Sequence, residues 1–161
     1  MNIGELKRNI EEKDYKNMPK MKLGKSKDGR EMHYSAGVIV ECNGKYLMLD
    51  RKNPPPGFAC PAGHVDENEE PKVAAIREVY EETGIKLENV EFICEEEIPW
   101  NYCKSDIGVH YWYLYRASVL SENFVLEEEE EKSLAWYTVD EIKKLNLEPV
   151  WKYWFEKLKI L

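Results

Sequence analysis

Residues 63–85 read GHVDENEEPKVAAIREVYEETGI, and this stretch decides the fold. Pro71 suits a first helical turn, where a missing N–H costs nothing, and Gly84 supplies the left-handed residue that commonly ends a helix. The spacing therefore predicts a helix over about 70–83. Within it Glu78, Glu81 and Glu82 stand at i, i+3 and i+4, which puts three carboxylates on one face. Ala74 and Ala75 lie one turn earlier near that face and leave room around it. Val73, Ile76, Val79, Tyr80 and Thr83 are expected to form a separate apolar side. Like charges at this spacing cost roughly 0.2–0.5 kcal/mol per pair on an exposed helix, and more when partly buried. Arg77 can pair with Glu81 one turn on, but one guanidinium does not balance three acids. A hard divalent cation would, and oxygen-only ligation favours Mg²⁺ or Mn²⁺ over zinc. The spacing by itself leaves a solvated acidic face as an open alternative in so Glu-rich a chain.

Upstream, GVIVEC (37–42) and KYLMLD (45–50) flank Asn43-Gly44, the strongest short-range signal for a β-hairpin. Arg51–Gly57 contains three consecutive prolines and reads as a loop. Residues 3–17 carry Ile3, Leu6 and Ile10 on one stripe and predict a short amphipathic helix; the Lys- and Gly-rich 18–32 predicts a connecting arm. Downstream, strands are expected at about 89–98 and 108–120, a loop at Glu127–Glu131, and a short strand in LAWYTV. Asp140 is expected to cap a helix through Leu145. A last helix, 149–160, places Val150, Trp151, Trp154, Phe155 and Leu158 on one side as core, with a dimer surface as the alternative. Strands mixed with a few helices indicate an α/β or α+β domain.

Composition narrows the rest. The chain has 161 residues, enough for one ordinary domain, and its longest apolar run falls far short of the ~20 residues a bilayer requires. No signal peptide is visible, so a cytoplasmic protein with no membrane partner is expected. Net charge is −8, and residues 34–161 carry −11, a balance that argues against a long nucleic acid as partner. Cys42, Cys60, Cys94 and Cys103 form no C-x-x-C pair and read as free thiols. Cys60 and His64 are four apart, but two ligands do not make a site, and His33, His64 and His110 show no triad-like arrangement.

Stretch 63–85 resembles the Nudix box, G-x5-E-x7-R-E-U-x-E-E-x-G-U with U aliphatic. It matches at Gly63, Glu69, Arg77, Glu78, Val79, Glu81, Glu82, Gly84 and Ile85, which is every specified position. The hairpin and Pro-rich loop ahead of it, and Trp136 followed by Asp140-Glu141-Ile142 behind it, are similar to the family as well. The resemblance implies a Nudix-type α/β/α sandwich with a mixed β-sheet over 34–161. The helix and arm of 1–33 would be an extra N-terminal segment and the C-terminal amphipathic helix an addition. The usual entry to the box is Trp, then Pro-Gly-Gly; here it is Phe58, then Pro61-Ala62-Gly63.

The same resemblance implies a metal-dependent hydrolase cleaving the pyrophosphate linkage of a nucleoside diphosphate derivative, a small nucleotide such as a nucleoside triphosphate or dinucleoside polyphosphate. The alternative is a Nudix-type domain that binds a nucleotide as a sensor without turning it over. By analogy Glu78, Glu81, Glu82 and the Gly63 carbonyl hold Mg²⁺ (or Mn²⁺), while Arg77 and Glu69 orient the carboxylates. Glu82 and Arg77 belong to the catalytic set, with a further acid expected from Glu130 or Glu131. Arg51 could meet phosphates, and Phe58, Trp100, Tyr102 or the Tyr111–Tyr113 run could provide an aromatic platform for a base, with Phe58 and Tyr102 the chosen candidates.

Overall fold

The computed structural model describes residues 20–51, 55–122 and 133–161. The helix expected over 3–17, and Glu130 and Glu131, lie outside the described residues. The strands are β1 (Leu23–Lys25), β2 (Glu31–Cys42), β3 (Lys45–Arg51), β4 (Gly57–Ala59), β5 (Ala62–His64), β6 (Glu91–Ile98), β7 (Val109–Ser118) and β8 (Ala135–Tyr137). The helices are α1 (Pro71–Thr83), α2 (Val139–Ile142) and α3 (Pro149–Lys157). The main sheet runs β4-β3-β2-β7-β6, with β1 and β5 also pairing with β2, and β8 with β3. It is mixed: β2 and β7 are parallel, the other pairs antiparallel.

The hairpin forms as expected, with Asn43 and Gly44 both at positive φ (51° and 75°). The arm differs from expectation. Leu23–Lys25 pairs with β2, which itself starts at Glu31 and runs through the boundary expected at 33/34. Strand alternation then assigns β2 to two cores. Val38 and Val40 face Ala74, Ala75 and Val79 of α1, while Ile39 faces Trp151, Trp154 and Phe155 of α3. Trp112 and Leu114 of β7 join the α3 side and Tyr115 the α1 side. The result is the α/β/α sandwich. The aromatic stripe of α3 is wholly buried within this chain, so it is core and not a dimer surface.

Two helix details depart from the sequence reading. On α1 the buried residues are Ala74, Ala75, Val79 and Thr83, whereas Val73 (52%) and Tyr80 (49%) are exposed. The small alanines let the helix lie close on the sheet, so they form the packing face, and bulky Val73 and Tyr80 are rotated off it. On α2 the N-cap is Thr138, whose hydroxyl accepts the Glu141 N–H; Asp140 sits in the first turn.

Candidate active site

Strand β5 joins the sheet to the loop before α1, and its alternation gives it two functions. Gly63 faces α1. A Cβ built there would lie 2.0 Å from Glu78 Cδ, so only glycine lets the Glu78 carboxylate rest against this strand. The special property of Gly63 is this close approach, since its φ is not in the left-handed region. One residue earlier, the Ala62 N–H donates to Glu82 Oε1 at 3.2 Å. Two carboxylates of α1 therefore converge on two consecutive residues of β5.

Arg77 organises the acids around them. Its Nε and Nη2 donate to both oxygens of Glu69 (2.8 and 2.9 Å), and Nη1 donates to Glu78 (2.7 Å) and Glu81 (3.2 Å). Nη2 also donates to the His64 carbonyl at 3.0 Å, tying the guanidinium to β5. Hydrogen bonds from Arg77 hold the Glu69 carboxyl below its ordinary pKa, and Glu69 in turn holds the guanidinium above its own. At Glu78 burial dominates and pushes the carboxyl up, although Arg77 pulls the other way. A largely buried carboxylate beside further carboxylates, all offering oxygen, is a donor set that fits a hard divalent cation.

A cleft on the other face of the sheet is lined by Arg51, Gly63, His64, Tyr102, His110 and Glu148, among others. The structure thus brings Arg51 and Tyr102 together beside the box. Phe58 is not among the residues that line this cleft. It sits opposite Asp50 in β4, with its ring edge-on to Tyr137 at 5.7 Å and packed on the core. Tyr102 remains half exposed and available as a platform.

Sequence reasoning missed two features of this cleft. Glu148, at the N-cap of α3, is 3% exposed; among the described residues its Oε2 has no hydrogen-bond partner, and it lies 3.9 Å from Arg51 Nε. Burial pushes its carboxyl up to about 7 against the pull of Arg51. The other is a group of potential metal ligands, His33, His64, Cys103 and His110, whose donor atoms all lie within 4.8 Å of one another. Burial pushes His64 down to about 3 and His110 to about 4, so both imidazoles are neutral at physiological pH. No local spacing announces this group, because its members come from three strands and a loop.

The chain is 34% identical over 92 residues to the RNA pyrophosphohydrolase of Cereibacter sphaeroides strain KD131, covering 49% of this chain and 57% of that protein. The match to strain ATCC 17023 has the same identity and coverage. The chain thus spans a little over half the length of the curated relatives it matches. Among solved structures, the NUDIX domain of Shewanella oneidensis NrtR complexed with ADP ribose has a TM-score of 0.67 at 15% identity, covering 92% of this chain and 96% of that one. The MutT protein of Methanosarcina mazei Go1 has 0.64 at 19%, covering 80% and 93%. These likenesses show the fold.

The names of the curated relatives overturn the expectation, drawn from net charge, that a long nucleic acid is excluded. Net charge is a property of the whole surface, whereas a pyrophosphate end group meets only the local field of the site, where a cation would outweigh the body's acidity. Among the described residues no helix is long and apolar enough to cross a membrane. The NUDIX domain family matches over residues 31–158, from the start of β2 through α3, so the complete box and the sandwich have one origin: this chain belongs to the Nudix family.

Proposed function

We propose that the chain hydrolyses a pyrophosphate linkage in a nucleoside diphosphate derivative, using a divalent cation held by carboxylates of α1. Members of this family generally use divalent metal ions. The observation that carries the reading is the seating of Glu78 against Gly63, with Glu82 on the neighbouring Ala62 N–H. Glu78, Glu81, Glu82 and the Gly63 carbonyl form our ligand set, and their oxygen donors fit Mg²⁺ or Mn²⁺. When bound, such an ion neutralises phosphate oxygens and makes water more acidic.

The chain's own residues supply the rest. Arg77 and Glu69 keep the carboxylates aimed at one point through the hydrogen bonds described above. Glu82, or Glu130 or Glu131 from the acidic run, takes the proton of the attacking water. Arg51 meets substrate phosphates at the mouth of the cleft, and Tyr102 stacks on a base. A complete set of carboxylates favours turnover over a module that only binds. The name of the curated relatives brings RNA into the substrate range, because a pyrophosphate on a 5′ end presents the same linkage as a free nucleotide. The free thiols fit a reducing cytoplasm, where we place the protein.

The test is product release over nucleoside triphosphates, dinucleoside polyphosphates and RNA carrying a 5′ pyrophosphate, with Mg²⁺, Mn²⁺ or excess EDTA. Turnover of at least one substrate is expected with metal and none with EDTA. The Glu81→Gln, Glu82→Gln double variant should lose on the order of 10²-fold or more. Full activity in EDTA, or in the double variant, would overturn the reading.

A further inference from the structure

We propose that His33, His64, Cys103 and His110 form a zinc site, distinct from the carboxylate site and separated from it by strand β5. Sheet register builds it. His33 lies directly opposite His110 in the parallel β2–β7 pair, and His64 of β5 lies opposite Ser35, two residues along β2. Alternation puts the three imidazoles on one face, the face away from Glu78, with ring centroids 4.7–5.6 Å apart. Cys103 closes the group from the loop ahead of β7, its Sγ 3.7 Å from His33 Nδ1.

Two of the six donor pairs already stand at the spacing of a tetrahedral ion, and all six lie within 4.8 Å. Zn–N bonds of about 2.05 Å and a Zn–S bond of about 2.3 Å at tetrahedral angles place ligand nitrogens about 3.3 Å apart, and nitrogen and sulfur about 3.6 Å apart. His64 Nε2 and His110 Nε2 are 3.2 Å apart, and the His33–Cys103 pair is at 3.7 Å. His110 also has the support that metal-bound imidazoles usually have: its Nδ1 donates to the Asn101 carbonyl at 2.8 Å, leaving Nε2 as the lone-pair atom. His33 and His110 are 5% and 2% exposed, so these ligands are held in place by the fold. The competing reading is a metal-free pair in which His64 donates to His110. With a second hydrogen bond between Cys103 and His33 it accounts for each pair separately, and leaves unexplained why the two pairs converge with all four donor atoms within 4.8 Å.

A thiolate with three imidazoles is a borderline-soft set that selects zinc over magnesium. Four protein ligands leave no open position, so the ion is structural. It pins the 99–108 loop to the sheet, and that loop carries Tyr102, next to Cys103, into the cleft.

The test uses the full chain without a histidine tag, loaded with Zn²⁺ or Co²⁺ and then desalted. The wild type should retain about one zinc per chain, and Zn²⁺ added on top of saturating Mg²⁺ should raise its thermal midpoint further. The cobalt form should show a thiolate charge-transfer band with intense tetrahedral ligand-field bands. Cys103→Ser should lose that band and weaken zinc binding on the order of 10²-fold, while Cys94→Ser keeps both. If Cys103→Ser does not fold, His110→Gln takes its place in the zinc titration and the wild-type cobalt spectrum decides on thiolate ligation. A folded wild type that retains no zinc, a cobalt form without the thiolate band, undiminished zinc binding in Cys103→Ser, or loss of the band in Cys94→Ser would each overturn the site. None of these readouts depends on hydrolysis.

Discussion

Replacing Glu148 by glutamine should stabilise the protein above neutral pH and leave it unchanged in acid. The side chain is 4% exposed, its Oε2 has no hydrogen-bond partner among the described residues, and its ion-pair partner Arg51 stands at 3.9 Å. Its carboxyl titrates at about 7 in the fold against an ordinary value of 4.5. Between those values the folded state holds a proton that the unfolded state has lost, so stability falls as pH rises. At about 1.36 kcal/mol per pH unit, the loss from this group reaches about 3 kcal/mol once pH has passed the folded-state value. The contribution is fully present below the unfolded pKa and gone above the folded one. Glutamine keeps the shape and cannot ionise, so the variant lacks this slope. Urea unfolding of both metal-free proteins at half-unit steps from about pH 4 to 8.5 measures it, since every other titrating group cancels in the difference. The two stability curves should coincide in acid and diverge through the window, with the variant ahead by up to about 3 kcal/mol. Parallel curves across the whole range would refute the buried, ill-compensated carboxylate.

Other outcomes follow from the site. Gly63→Ala should displace the Glu78 carboxylate, whose Cδ lies 2.0 Å from the new Cβ; kcat should fall on the order of 10²-fold while the unfolding midpoint moves little, because a flexible side-chain end can yield. Arg77→Ala should cost roughly 1–3 kcal/mol in denaturant unfolding, less than a fully buried pair since the guanidinium is 28% exposed. Arg77→Lys should recover little of that, because an ammonium cannot grip both Glu69 oxygens. Tyr102→Ala should raise KM more than it lowers kcat; equal effects on the two would remove the ring from substrate binding.

What the sequence by itself determined was the local part of the molecule. Pro71 and Gly84 bound α1 because capping acts within one turn, and Asn43-Gly44 turns the hairpin because positive φ is a property of those two residues. The three carboxylates share a face for the same reason: i, i+3 and i+4 meet on any α-helix. The box could therefore be read without knowing what it packs against. Which side of α1 is buried could not, since Ala74 and Ala75 become the packing face only when the sheet lies within reach of so small a side chain. The cleft and the histidine–cysteine group were beyond sequence reading altogether. His33 and Cys103 are seventy residues apart, and only the parallel register of β2 on β7 and the return of β5 bring them together. Glu148 is silent in the sequence because its burial is a property of the closed fold. Local hydrogen bonding and helical period act over a few residues and leave a pattern in the chain. Long-range strand pairing sets which distant donors meet, and it is decided by the packing of the whole sheet.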